Sequence, residues 1–134
     1  MMHPPKSYRS RTGALSVEVA LCLPLLLMVL FGCYEIAHAN MLLHATESAA
    51  YEGARVGIIP GANKEKVETA AAQILRSVGI TNFDIEIKPG KIKKDTPRIE
   101  VLVQVPFAKN TLIPTFFFKN PKFKGVCKLT REIP

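Results

Sequence analysis

Sixteen consecutive residues, Val19 to Tyr34, carry no charge, and the leader ahead of them, residues 1–13, holds Lys6, Arg9 and Arg11 with no acid. This run constrains the chain more than any other feature. Counted from Ala14 to Tyr34 it is 21 residues long, about 31 Å of helix at 1.5 Å per residue. A bilayer core is about 30 Å thick, so the segment is long enough to cross a membrane once. The next basic residue after Arg11, histidines aside, is Arg55. That asymmetry predicts the N-terminus in the cytoplasm and the bulk of the chain outside. Two residues stand out within the segment. Glu18 sets a carboxylate at the apolar boundary, where an acid is costly unless paired and marks a functional position by default. Pro24 removes a helical donor and is expected to kink or loosen the helix.

Beyond Pro60 the chain is more polar and reads as a small α+β fold. Glu35 to Arg55 continues as helix, with Ala39, Ala45, Ala49, Ala50, Gly53 and Ala54 forming a small-residue side that permits close helix approach. A break near Asn40 is the alternative to one long helix. Val67, Ala70, Ala71, Ile74, Leu75 and Val78 recur at helical spacing, with Asn63 as the expected N-cap and Gly79 as the stop. Phe83, Ile85 and Ile87 alternate with polar residues, as do Ile99, Val101, Val103 and Val105. A weaker third strand is expected over Val126 to Glu132. The fold class is therefore α+β: a long N-terminal transmembrane and stalk helix, then a second amphipathic helix packed on a small three-stranded antiparallel sheet. The boundaries are a basic leader at 1–13, a transmembrane helix at 14–36, a stalk continuation at 37–59 and an extracytoplasmic domain at 60–134. A domain that small buries too little surface to stand alone comfortably. It is expected to lean on the stalk, the membrane or a partner.

Composition excludes several functions. The net charge of +7 falls to +4 once the leader is removed, too little and too scattered for nucleic acid. The densest basic cluster, Lys88, Lys91, Lys93, Lys94 and Arg98, reads as a solvated turn between strands, with anionic headgroups as the second reading. Cys22 and Cys33 lie in the apolar run and Cys127 near the end, which gives no disulfide framework. His38 and His44 are six apart and share no helix face, and His44 with Glu47 is not completed by a second pair. With no H-E-x-x-H motif and no Gly-rich phosphate loop, we expect no enzyme, no metal and no cofactor. Between the last two strands, Phe116, Phe117 and Phe118 cannot all enter one core. They are expected either to cover an open end of it or to contact a partner or the membrane.

Three further motifs concern processing. Arg11-Thr12-Gly13-Ala14-Leu15-Ser16-Val17-Glu18 resembles the cleavage site of type IV prepilins, and more closely that of the TadE-like pseudopilins of tight-adherence pilus systems. Ala20-Leu21-Cys22-Leu23-Pro24, Phe31-Gly32, Glu35 and Ala50-Tyr51-Glu52-Gly53-Ala54-Arg55 extend the likeness over Arg11 to Gly57. The resemblance implies cutting between Gly13 and Ala14 by a prepilin peptidase, with Glu18 at mature position 5 neutralising a new N-terminal amine. It also implies a single-pass protein of the bacterial cytoplasmic membrane that works with other pseudopilins or pilus assembly platform proteins, with or without entering the filament. The alternative is a periplasmic or secreted binding domain. It would be released after Ala37-His38-Ala39, or lipid-anchored at Cys33 within Leu30-Phe31-Gly32-Cys33.

Overall fold

The uncharged run folds as expected from its composition, as helix. In the computed structural model, which describes residues 11–90, 92 and 96–131, helix α1 spans Arg11–Gly57, with Pro24 inside it. Lys6, Arg9, Lys91, Lys93, Lys94 and Glu132 lie outside the described residues. The chain divides into two compact units, one up to Tyr34 and one from Glu35 onward.

In the first unit the leucines and valines of α1 are exposed on every side; Leu21 is 73% exposed and Leu25 65%. A helix that is apolar all round is stable only where water is excluded. This is the stretch long and apolar enough to cross a bilayer.

The second unit takes α1 from Glu35 to Gly57, with no break at Asn40. Here one face is lined by buried residues, among them Glu35, Ala39, Leu42, Thr46, Ala49, Gly53 and Gly57. Successive steps of three or four residues keep them on one side of the helix. Most are small, and from sequence such a side is expected to admit another helix. The structure sets it against both a helix and a sheet. A β-carbon on Gly53 would lie 3.3 Å from Ala71 and 3.3 Å from Val101.

Helix α2 (Lys64–Ser77) starts and stops on local signals. The Asn63 side chain accepts from the Lys66 N–H at 2.9 Å. At the other end Gly79 takes φ +83°, and the Gly79 and Ile80 N–H groups donate to Arg76 and Leu75 carbonyls. This pair of bonds is a Schellman stop, and the left-handed φ is why glycine stands there. Val67, Ala71 and Leu75 bury the inner face.

Strands β1 (Asp84–Lys88), β2 (Arg98–Pro106) and β3 (Lys122–Thr130) form an antiparallel meander in the order β1-β2-β3. The sheet has one apolar face, built on Ile99, Val101, Val103 and Val105 of β2, all fully buried. Glu100, Leu102 and Gln104 turn outward, as alternation requires. Strand β3 begins at Lys122, four residues before the expected start. Its inward residues are Phe123, Gly125, Cys127 and Leu129, paired with Val105, Val103, Val101 and Ile99. Glycine at the second inward position interrupts the apolar alternation, so only the later half is visible in the sequence. Burial pushes the Cys127 thiol above its usual range, in keeping with a packing residue.

Gly125 marks where α1 crosses the sheet. A β-carbon there would sit 2.5 Å from the Thr46 carbonyl oxygen and 2.9 Å from the Glu47 nitrogen, both backbone atoms that cannot swing aside. The end of α1 is fastened too. The Arg131 guanidinium donates to the carbonyls of Ile58 at 2.8 Å, Ile59 at 3.0 Å and Gly57 at 3.4 Å, while its backbone N–H donates to Pro97. A cation on the orphan carbonyls of a helix end satisfies both hydrogen bonding and the helix dipole.

Gly125→Val should destabilise the folded unit by about 1–3 kcal/mol, the usual cost of overpacking. Gly90→Ala, with nothing within 4 Å of the added carbon, should be nearly silent. Denaturant titration of the detergent-solubilised chain, comparing the two variants, checks this.

Candidate functional site

Glu35, His38 and Asn110 of the second unit converge on the connection between β2 and β3. Phe107, just past β2, is the largest fully buried side chain. Its ring meets His38 at a centroid distance of 5.6 Å, Phe118 at 6.0 Å and Phe123 at 6.0 Å, all tilted or edge-on. Such geometries are favoured by aromatic quadrupoles. The Phe107 N–H donates to the Pro121 carbonyl at 3.0 Å and closes the base of the loop.

Asn110 pins the first half of this loop. Its Oδ1 accepts from the N–H groups of Thr81 at 3.2 Å and Asn82 at 3.0 Å. Its Nδ2 donates to the carbonyls of Asn82 at 2.8 Å and Pro106 at 2.9 Å. One side-chain amide thus uses both its donors and both its acceptor positions. The Asn110 carbonyl also lies 3.0 Å from His38 Nε2. A carbonyl only accepts, so Nε2 carries the proton in this contact.

Glu35 pins the second half. Its carboxylate accepts from three consecutive backbone N–H groups: Phe116 at 3.3 Å, Phe117 at 3.0 Å and Phe118 at 2.9 Å. Successive N–H groups turned toward one point form a concave anion cradle, here filled by a side chain of α1. Glu35 itself is buried. Two positions of one helix face, Glu35 and His38, therefore hold both halves of a loop more than 70 residues away.

The fixed backbone decides where the three phenylalanines go. Phe118 turns inward onto Phe107, whereas Phe116 and Phe117 stay 68% and 55% exposed, and Leu112 is 97% exposed. Of the two outcomes expected from sequence, covering the core therefore holds for Phe118 alone. The other expected site residues, Gly13, Ala14, Glu18 and Pro24, all lie in the first unit on exposed positions of α1. Sequence reasoning reaches Glu35 only as part of a family likeness, and does not reach Asn110 at all. The signal that could have found Glu35 is an acid immediately after an uncharged run, a place where a lone carboxylate needs donors.

Among the described residues no group of three or more His, Cys, Asp or Glu side chains is placed to hold a metal ion. His44 and Glu47 form an exposed i,i+3 contact at 3.7 Å. Lys88 and Arg98, the described members of the basic cluster, are exposed at the end of β1 and the start of β2.

The family described as TadE-like protein matches residues 13–55, which is α1 almost from end to end. No curated protein and no solved structure matches the chain.

Replacing Glu35 by Ala should release the aromatic loop without unfolding the sheet. Hydrogen exchange should quicken at the amides of Phe116, Phe117 and Phe118 and remain slow at the paired amides of β2 and β3. Glu35→Gln, which keeps one acceptor oxygen but no charge, should fall between the two. Unchanged exchange at the three phenylalanine amides in Glu35→Ala would show that the carboxylate does not hold the loop.

Proposed function

We propose, from the premise that residues 13–55 are similar to the TadE-like family, that this chain is a membrane-anchored minor pseudopilin that takes part in assembling a tight-adherence pilus. The observation that carries the reading is the coincidence of that match with a helix whose stretch up to Tyr34 exposes its apolar surface on all sides. The anchor is single-pass. The basic leader stays in the cytoplasm and the unit from Glu35 onward stands outside.

Maturation removes the leader. Prepilin peptidase cuts between Gly13 and Ala14, which makes Glu18 the fifth residue of the mature chain. An ammonium and a carboxylate are each expensive in lipid, and pairing them removes much of that cost. Glu18 does this within its own chain or toward a neighbouring pseudopilin, and so sets the register in which subunits meet. The assembly platform of the pilus and other pseudopilins are the protein partners, and the bilayer is the third.

The packing of the second unit weighs against release as a secreted domain. Cutting after Ala39 would remove Glu35 and His38, which hold the loop between β2 and β3, and Ala39, which is buried in the core. A released domain would start without the contacts that order it.

Mass spectrometry of the protein purified from its native membrane should find Ala14 as the first residue. A chain beginning at Asn40, or a lipidated Cys33, would replace the pseudopilin reading with the secreted or lipid-anchored one. Glu18→Ala should leave membrane insertion and protein level unchanged while reducing surface pili in an immunoblot of sheared filaments. Normal piliation in that variant would remove the assembly role of Glu18.

A further inference from the structure

The loop between β2 and β3 combines three properties that together select one kind of partner. It exposes large apolar side chains at its tip, Leu112, Phe116 and Phe117. It is positively charged: Lys109 and Lys119 lie in it and Lys122 opens β3, all exposed, with no acid from Phe107 to Lys122. And it is hydrogen-bonded to Glu35, the residue that directly follows the last residue of the uncharged run, Tyr34.

The third property fixes the loop's height. A residue one position past a membrane-spanning run lies at the interface between hydrocarbon and headgroups. The backbone of Phe116 to Phe118 is within hydrogen-bond distance of that residue's carboxylate. This follows from covalent adjacency and the three hydrogen bonds alone. Aromatic side chains concentrate at that depth in membrane proteins, and lysines beside them face anionic headgroups. An exposed apolar patch of this kind otherwise marks a protein interface, but the sign of the charge and the tie to Glu35 favour lipid.

We infer that the loop 112–118 is an interfacial anchor, which inserts Leu112, Phe116 and Phe117 into the headgroup region of the leaflet that the second unit faces, with Lys109, Lys119 and Lys122 on anionic lipid phosphates. The inference rests on α1 spanning the bilayer. The loop ties the second unit to the headgroup region. Glu35 is its positioning residue: both carboxylate oxygens accept from loop amides.

The chain contains no tryptophan, so single-tryptophan reporters test this cleanly in the full chain. Phe117→Trp and Phe116→Trp report on the loop, Leu25→Trp on the apolar run, and Tyr51→Trp, exposed on α1 farther along, on the remainder of the unit. Each is reconstituted at low protein-to-lipid ratio into vesicles of phosphatidylcholine with phosphatidylglycerol, with and without lipids brominated near the headgroup end of the acyl chain or, for Leu25→Trp, near its terminal methyl. Phe116→Trp and Phe117→Trp should emit at shorter wavelength than Tyr51→Trp and lose intensity with brominated lipid. The loss should weaken when phosphatidylglycerol is left out. Leu25→Trp quenched while both loop reporters stay red-shifted and unquenched would overturn the inference and leave the membrane anchor standing. No quenching at Leu25→Trp or the loop would overturn both. A blue shift at the loop that vanishes as protein is diluted in lipid would assign the patch to a second copy of the chain instead.

Discussion

A three-stranded sheet has one apolar face to hide, and in this protein part of the cover is a helix that runs on from the uncharged run. The inward positions from Glu35 to Gly57 lie against β2, β3 and α2, and the closest approaches fall where the residues carry almost no side chain. At Gly125 the strand contributes no side chain, and an added β-carbon would run into the backbone of α1. The C-terminal part alone would leave Val101, Val103 and Ile99 partly uncovered. A unit of this size has little apolar surface to spare, which explains why the compact body starts at Glu35 and not beyond Pro60. The apolar run and the cover of the sheet are thus consecutive stretches of α1, and neither the sheet nor α2 is independent of it.

Much of this was legible in the sequence. Both ends of α2 are written in single residues, Asn63 and Gly79, whose physical roles do not depend on tertiary context. Strands β1 and β2 show clean alternation because one face is buried and the other wet. The small-residue face of α1 was visible as well, though its partner was not. Close approach requires small residues whether the neighbour is a helix or a strand, so composition alone does not distinguish them. Strand β3 was half hidden because its most important inward residue is a glycine, which leaves no hydrophobic mark.

The carboxylate cradle was not legible, for a different reason. Its donors are backbone N–H groups, which every residue but proline possesses, and its acceptor lies more than 80 positions away. Side-chain patterns carry no trace of such a contact. The same holds for Asn110, an ordinary turn residue by sequence, which bonds four backbone groups of the fold. The triple phenylalanine was conspicuous, but which ring turns inward depends on a hydrogen-bond pattern set by Glu35.

The two ends of the buried helix are fastened in the same manner and at opposite limits of β3. Glu35 grips the loop before β3, and the carbonyls at Gly57, Ile58 and Ile59 are gripped by Arg131 just after β3. Under a mechanical load this matters more than the total strength of the packing. A strip of apolar contacts gives way by peeling, one residue at a time from a free end, at low force. With a polar clamp at each end there is no free end from which to start. A pull along α1 must break a clamp first, after which the strip behind it opens together. The unit is therefore built to resist steady tension and to yield, if it yields, in one step.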